Sequence, residues 1–179
     1  MNALLTLARA IDALTERTGR LVIWLVFFAT LVSAGNALVR WGLGVSSNAW
    51  LEIQWYLFGA MFLLAAGYTL KHNGHVRIDI FYNRFGAKGQ AWIDLLGGVF
   101  FLLPMAGVLA WLAWPMFMTA WATQEMSPDA GGLLRWPVKL LLPLGFALLV
   151  LQGIAEIIKR IGVLVGALSL PHELPAEDV

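Results

Sequence analysis

The sequence predicts an all-α membrane protein with four transmembrane helices, cytoplasmic N and C termini, and an amphipathic interfacial helix at the N-terminus. Three observations favour this fold class. Of the 179 residues, 60% are hydrophobic and only 13% are charged, whereas a soluble domain carries about 25% charged residues. The apolar residues form four long runs. The basic residues concentrate on one side of those runs.

The N-terminal segment over residues 1–20 precedes the first apolar run and has a helical pattern. Its apolar residues recur at helical spacing, and they are Leu4, Leu7, Ile11 and Leu14. Charged residues lie between them, and they are Arg9, Asp12, Glu16 and Arg17. This pattern predicts an amphipathic helix on the inner membrane surface. The alternative is a cytoplasmic extension of the first span.

Four apolar runs are long enough to cross a bilayer. A helix rises about 1.5 Å per residue and the hydrocarbon core is about 30 Å thick, so a span needs about 20 residues. The predicted spans cover about 21–39, 53–70, 95–123 and 138–158. Because lipid cannot satisfy backbone polar groups, each span must be helical. Together they form a transmembrane domain over 21–160, followed by a cytoplasmic tail over 161–179.

The first run is expected to remain as a transmembrane helix. Val32-Ser33-Ala34 loosely resembles a signal-peptide cleavage site, but the apolar run continues past it. The segment that precedes the run is also too long for the basic start of a typical signal peptide.

The basic residues predict the orientation of the spans. Nine of them fall on one side, and they are Arg9, Arg17, Arg20, Lys71, Arg77, Arg84, Lys88, Lys159 and Arg160. Three fall on the other side, and they are Arg40, Arg135 and Lys139. Basic loops favour the cytoplasmic side, so both termini are predicted to be cytoplasmic.

The third and fourth spans carry residues that favour bending and close packing. A helix from Trp92 to Trp121 would be about 45 Å long, so it must tilt, kink or protrude from the bilayer. The residues that favour bends are Pro104, Pro115 and Pro143. Each proline removes a backbone hydrogen bond. Gly98 and Gly107 add points of close approach, so we expect a larger partner to pack here.

Four polar residues at or within the spans are candidates for structural roles. Arg40 and Glu52 flank the first hairpin and are predicted to form an ion pair, with two separate charges facing interfacial water as the alternative. Asp94 is expected near a helix N-terminus, where a carboxylate interacts favourably with the positive end of the helix dipole. We expect this role rather than a role in ion coupling. Gln152 is expected to join helices rather than to bind substrate.

Several classes of function find no support in the sequence. There are no cysteines, which excludes a disulfide framework and a thiolate metal site. The three histidines, His72, His75 and His172, lie outside the apolar runs, which argues against a buried haem. The net charge of +1 gives no broad basic face for nucleic acid. No catalytic constellation is present, so we expect neither enzymatic activity nor a cofactor.

The spans also lack the features of a self-sufficient transporter. No internal repeat, no pair of matching broken helices and no deep cluster of polar cation ligands occurs in the sequence, although secondary transporters commonly show them. The residues therefore indicate a hydrophobic scaffold that packs against something larger.

Several ordered segments resemble the DctQ-type small permease of tripartite ATP-independent periplasmic (TRAP) transporters. They are Trp50-Leu51-Glu52-Ile53-Gln54-Trp55-Tyr56-Leu57-Phe58, Gly74-His75-Val76-Arg77-Ile78-Asp79, Trp136-Pro137-Val138-Lys139, Leu142-Pro143-Leu144-Gly145-Phe146 and Gln152-Gly153. Each segment is weakly specific alone, but their order and spacing together are fairly specific. The resemblance runs from about Thr18 to Arg160.

The resemblance implies a role as one subunit of a transporter in the bacterial inner membrane. A large permease subunit would carry the substrate and sodium sites, and a periplasmic substrate-binding protein would deliver an organic anion. The small subunit would hold the permease frame while a transport domain moves. Arg77 and Asp79 are expected to add polar contacts to the permease, unless Arg77 meets anionic lipid headgroups. The alternatives are a membrane anchor of a respiratory enzyme and a small membrane regulator.

The distribution of basic residues predicts that both termini are cytoplasmic. A fused reporter that works only in the cytoplasm should therefore be active at either end. Paired reporters, one active in the cytoplasm and one in the periplasm, measure this at each end. A terminus whose reporter is active only in the periplasm would contradict the four-span topology.

Overall fold

The computed structural model describes residues 1–75 and 82–168, and in these parts the chain is almost entirely helical. The four helices are α1 (Asn2–Leu43), α2 (Asn48–Lys71), α3 (Ala87–Ala122) and α4 (Trp136–Leu164). Each is long and apolar enough to span a membrane, which confirms the four predicted spans. The described residues form no strand beyond one isolated bridge between Met126 and Leu134.

The first helix is continuous, so residues 2–20 are not a separate amphipathic element. Helix α1 runs unbroken for 42 residues, because no proline interrupts it. One side of this segment packs within the bundle, because Ala8 and Ile11 are buried with Ala155 and Ile158 of α4. Three of the four predicted apolar positions, Leu4, Leu7 and Leu14, are 45–49% exposed. The structure therefore agrees with the alternative, an extension of the first span.

Helix α3 contains a π-helical turn directly before a proline. It begins at Ala87 rather than at Leu95 and runs for 36 residues. The turn covers Gly98–Leu102, and the Leu103 N–H donates to the carbonyl of Gly98, five residues back. Pro104 has no N–H and crowds the preceding turn. A wider π turn accommodates that missing bond without ending the helix.

Helix α4 is the centre of the bundle, because α1, α2 and α3 all pack against it. Helices α1 and α2 also pack against each other. Glycines permit the close approaches: a Cβ atom at Gly145 would lie 2.8 Å from Cβ and 2.9 Å from the carbonyl oxygen of Leu63 in α2. At Gly98, a Cβ would lie 3.0 Å from Ile157 in α4.

Replacing Gly145 with alanine should destabilise the subunit by about 1–3 kcal/mol, because the added methyl group meets the backbone of α2. The control is Gly107→Ala, since a Cβ there meets nothing within 4 Å and alanine stabilises a helix interior by about 0.5–1 kcal/mol. Thermal unfolding of the purified subunit in detergent measures both. Equal effects at the two positions would contradict the observed packing of α2 on α4.

Candidate functional site

The polar side chains of the bundle gather in clusters at its two ends. The first, the loop cluster, consists of Glu52, Tyr56, Ser127, Leu133 and Leu134. One carboxylate oxygen of Glu52 accepts a hydrogen bond from the Ser127 hydroxyl, and the other accepts the Leu133 N–H at 2.7 Å. Tyr56, one turn further along α2, donates its hydroxyl to the Leu134 carbonyl at 2.8 Å. The start of α2 thereby holds the loop that joins α3 to α4.

The path of this loop depends on two adjacent glycines. Gly131 has a φ of +72°, a conformation that side chains disfavour. A Cβ at Gly132 would lie 2.5 Å from Cβ of Ser127 and 2.7 Å from Oε1 of Glu52. No larger residue fits at Gly132 while Glu52 and Ser127 remain in contact, so the glycine allows the carboxylate to reach the loop.

The predicted ion pair between Arg40 and Glu52 is wrong. Both carboxylate oxygens of Glu52 bind the α3–α4 loop. Arg40 is exposed, and within residues 1–75 and 82–168 the structure has no ion pair that joins these two side chains. The physical reason is that backbone and hydroxyl donors of the folded loop reach the carboxylate directly, without ordering a long guanidinium side chain at the surface.

The second group, the charged cluster, lies at the opposite end and consists of Asp12, Thr15, Glu16, Lys71, Gln152, Glu156 and Lys159. At its centre is Gln152, which is fully buried. Its Nε2 donates to Asp12 at 2.8 Å and to Glu156 at 2.9 Å, and its Oε1 accepts the Thr15 hydroxyl at 2.6 Å. Lys159 lies 3.1 Å from Asp12 and 2.6 Å from Glu156. These bonds join α1 to α4.

Glu16 extends the charged cluster from α1 to α2. Its carboxylate lies 2.7 Å from the Lys71 ammonium and 3.1 Å from Nε2 of His72. Glu16 precedes the apolar run that begins at Leu21, and its pKa is lowered to about 2, first by the hydrogen bond from Lys71 and then by that from His72. The carboxylate therefore stays ionised at physiological pH, which preserves its pairing with Lys71.

Asp94 joins α3 to α4 and is not a helix-end carboxylate. Its Oδ2 lies 3.0 Å from Nη2 of Arg160 and accepts the Tyr82 hydroxyl at 2.9 Å. The expected interaction with the helix dipole is wrong, because α3 begins at Ala87 and Asp94 lies about two turns inside it. The dipole acts mainly within the first turn.

The remaining predicted residues divide between the interior and the surface of the bundle. Pro143 is buried, and Gly98 faces Ile157 of α4. Pro104 and Pro115 are exposed, and a side chain added at Gly107 would meet open space. Arg77 and Asp79 lie outside the described residues.

The sequence contained a signal for some of the residues that the predictions missed. Glu16 and Lys71 lie just outside the first two predicted spans, at the end where both helices enter the same membrane face, so their pairing could have been predicted. Thr15 and Ser127 carried no such signal, because their partners depend on the rotation of α1 and on the fold of the α3–α4 loop.

The described residues offer no evident site for a metal ion. Within 1–75 and 82–168, no three histidine, cysteine, aspartate or glutamate side chains come together in a way that could hold one. Fold and clusters together define a small helical membrane protein whose polar side chains mainly bind one another.

The comparisons with known proteins identify its family. The sequence model of one protein family, the DctQ component of tripartite ATP-independent periplasmic transporters, matches residues 29–162. The chain therefore belongs to the DctQ family and is a small membrane subunit of a TRAP transporter, which confirms the resemblance seen in the sequence. This family is a transporter component and not a family of enzymes. A comparison with curated proteins gives no match.

The loop cluster predicts energetic coupling between Glu52 and Ser127 and none between Glu52 and Arg40. A hydrogen bond to a charged group contributes about 1.5–3 kcal/mol, so Glu52→Gln and Ser127→Ala should combine with a non-additive loss of stability. Glu52→Gln and Arg40→Met should add within about 0.5 kcal/mol. Two double-mutant cycles, measured by thermal unfolding in detergent, make the comparison. Coupling in the Arg40 cycle alone would contradict the observed contacts.

Proposed function

We propose that this subunit supports a large permease in the sodium-coupled uptake of an organic anion that a periplasmic substrate-binding protein delivers. The observation that carries this proposal is the use of the polar side chains. In the described chain, the charged and amide groups of Glu52, Asp94 and Gln152 bind neighbouring helices and loops of the same subunit. A sodium or anion route through the subunit would need such groups to line an open path.

The exposed apolar surface supports a scaffold role. Phe101 and Trp111 of α3 are 76% and 73% exposed. Helix α3 packs within the subunit chiefly on α4, so much of its outward face is free to meet lipid or a partner. We propose that this face, with Pro104, Gly107 and Pro115, contributes to the contact with the permease.

The rigid connection of the helices supports the same role. The charged cluster ties α1 to α2 and α4, and the Asp94–Arg160 pair ties α3 to α4. A frame of this kind can hold the static part of a permease while another part moves. The proposed setting is the bacterial inner membrane, with both termini in the cytoplasm on the basis of the distribution of basic residues.

No observation favours the two alternative functions. The side chain of His72 lies at the end of α2 and contacts Glu16, so it is not placed as an axial ligand within the bundle. Membership of the DctQ family favours neither a respiratory anchor nor a free-standing regulator.

The proposal predicts that the subunit transports nothing alone. Liposomes that contain only this subunit should take up no more radiolabelled substrate than empty liposomes under an inward sodium gradient. The same liposomes with the large permease and the cognate binding protein should show uptake. Sodium-driven uptake by the small subunit alone would contradict the proposal.

A further inference from the structure

A groove between α1 and α2 is covered by no other part of the described subunit. The buried face of α1 ends at Val22, and no residue from 23 to 43 is buried. Beyond that point the two helices enclose an open groove of about 590 Å³. Residues that line it include Ala29, Thr30, Ser33, Gln54, Phe58 and Gly59.

Polar groups in and beside this groove have no partner within the described chain. The Ser33 hydroxyl makes no hydrogen bond to any described residue, and neither does the Asn36 side chain, which lies on the same face of α1 one turn away. Gln54 donates from its Nε2 to the Trp50 carbonyl, which leaves its side-chain oxygen available as an acceptor. The groove therefore carries a hydroxyl without a partner in the described chain on its α1 wall and a side-chain acceptor on its α2 wall.

The depth of Ser33 argues against a lipid chain as the occupant of the groove. Ser33 precedes Arg40 by seven residues, which places it about 10 Å below the predicted membrane boundary. Acyl chains at that depth offer no hydrogen bond, and an unsatisfied polar group in hydrocarbon is unfavourable. Serine, threonine, asparagine and glutamine are the side chains that hydrogen-bond between transmembrane helices.

The outward face of α3 provides a contrast within the same subunit. Its most exposed large apolar residues are Phe100, Phe101, Trp111 and Leu112, each at least 60% exposed. These bulky apolar side chains suit lipid or apolar packing, and none of them calls for a hydrogen-bonding partner. The groove carries polar groups that this face lacks, so its partner must form hydrogen bonds as well as apolar contacts.

We infer that the α1–α2 groove receives a transmembrane helix of the large permease, and that this helix presents a hydrogen-bonding side chain to Ser33, Asn36 and Gln54. The inference rests on the proposed function, since the permease is the partner that function supplies.

Photo-crosslinking from within the membrane tests the occupant directly. A photoreactive amino acid at position 33 of the full chain, expressed with its permease, should give an adduct that contains the permease. The matched control is position 31, because Leu31 is 51% exposed and lies about 200° around the helix from Ser33. An adduct between two copies of this chain, or only lipid adducts at position 33, would overturn the inference.

A pair of substitutions separates loss of the contact from loss of the fold. Ser33→Leu with Asn36→Leu should lower the amount of permease that co-purifies by about tenfold. The thermal stability of the isolated subunit should not fall, because both side chains lack partners within it. Leu31→Ala should leave co-purification unchanged. Undiminished co-purification of the double variant would overturn the inference.

The outcomes also distinguish this inference from the proposed function. If the permease co-purifies with the unsubstituted subunit but position 33 gives no adduct with it, the supporting role stands and the groove assignment falls. If the unsubstituted subunit retains no permease at all, the proposed function fails and the inference fails with it.

Discussion

Close packing of three helices on α4 is the interaction on which the rest of the structure depends. Lipid chains are as apolar as leucine, so burial alone gives little reason for helices to associate, and close approach must supply the attraction. Helix α4 provides it on several sides. Gly145 lies close to Leu63 of α2, Gly153 lies close to Leu102 of α3, and Ala155 is buried in one cluster with Ala8 of α1. The supporting role proposed for the subunit requires this common axis.

The polar clusters supply what packing cannot, namely a defined register between neighbouring helices. Gln152 binds Thr15 through its side-chain oxygen and Asp12 through its side-chain nitrogen, so these bonds favour one rotation and height of α1 against α4. At the opposite end, Glu52 holds the α3–α4 loop in one conformation through both carboxylate oxygens. Using polar groups in this way strengthens the frame, and it leaves few of them to line a route for ions.

Features that depend on local composition could be predicted from the sequence. Contacts between residues that are distant in the chain could not. The four spans followed from apolar length, and the family from ordered motifs in the second and fourth spans. Periodicity within residues 1–20 left open whether this segment extends the first span, because the contacts of Ala8 and Thr15 with α4 are distant in the chain. Glu52 was assigned to Arg40 because the antiparallel first and second spans place both groups at a similar depth, whereas its partner Ser127 lies 75 residues away in the chain. Gly98 and Gly107 look alike in sequence, yet only Gly98 faces a helix of the subunit.

The central claim is that the subunit is a static frame, and a distance measured during transport tests it most directly. This chain contains no cysteine of its own, so spin labels can be placed at Leu38 of α1 and at Val165 directly after α4, both exposed. Pulsed electron paramagnetic resonance on the complex with its permease would compare the label distance without ligand and with sodium and substrate. The account predicts the same distance distribution in both states. A distribution that shifts when sodium and substrate are added would contradict it.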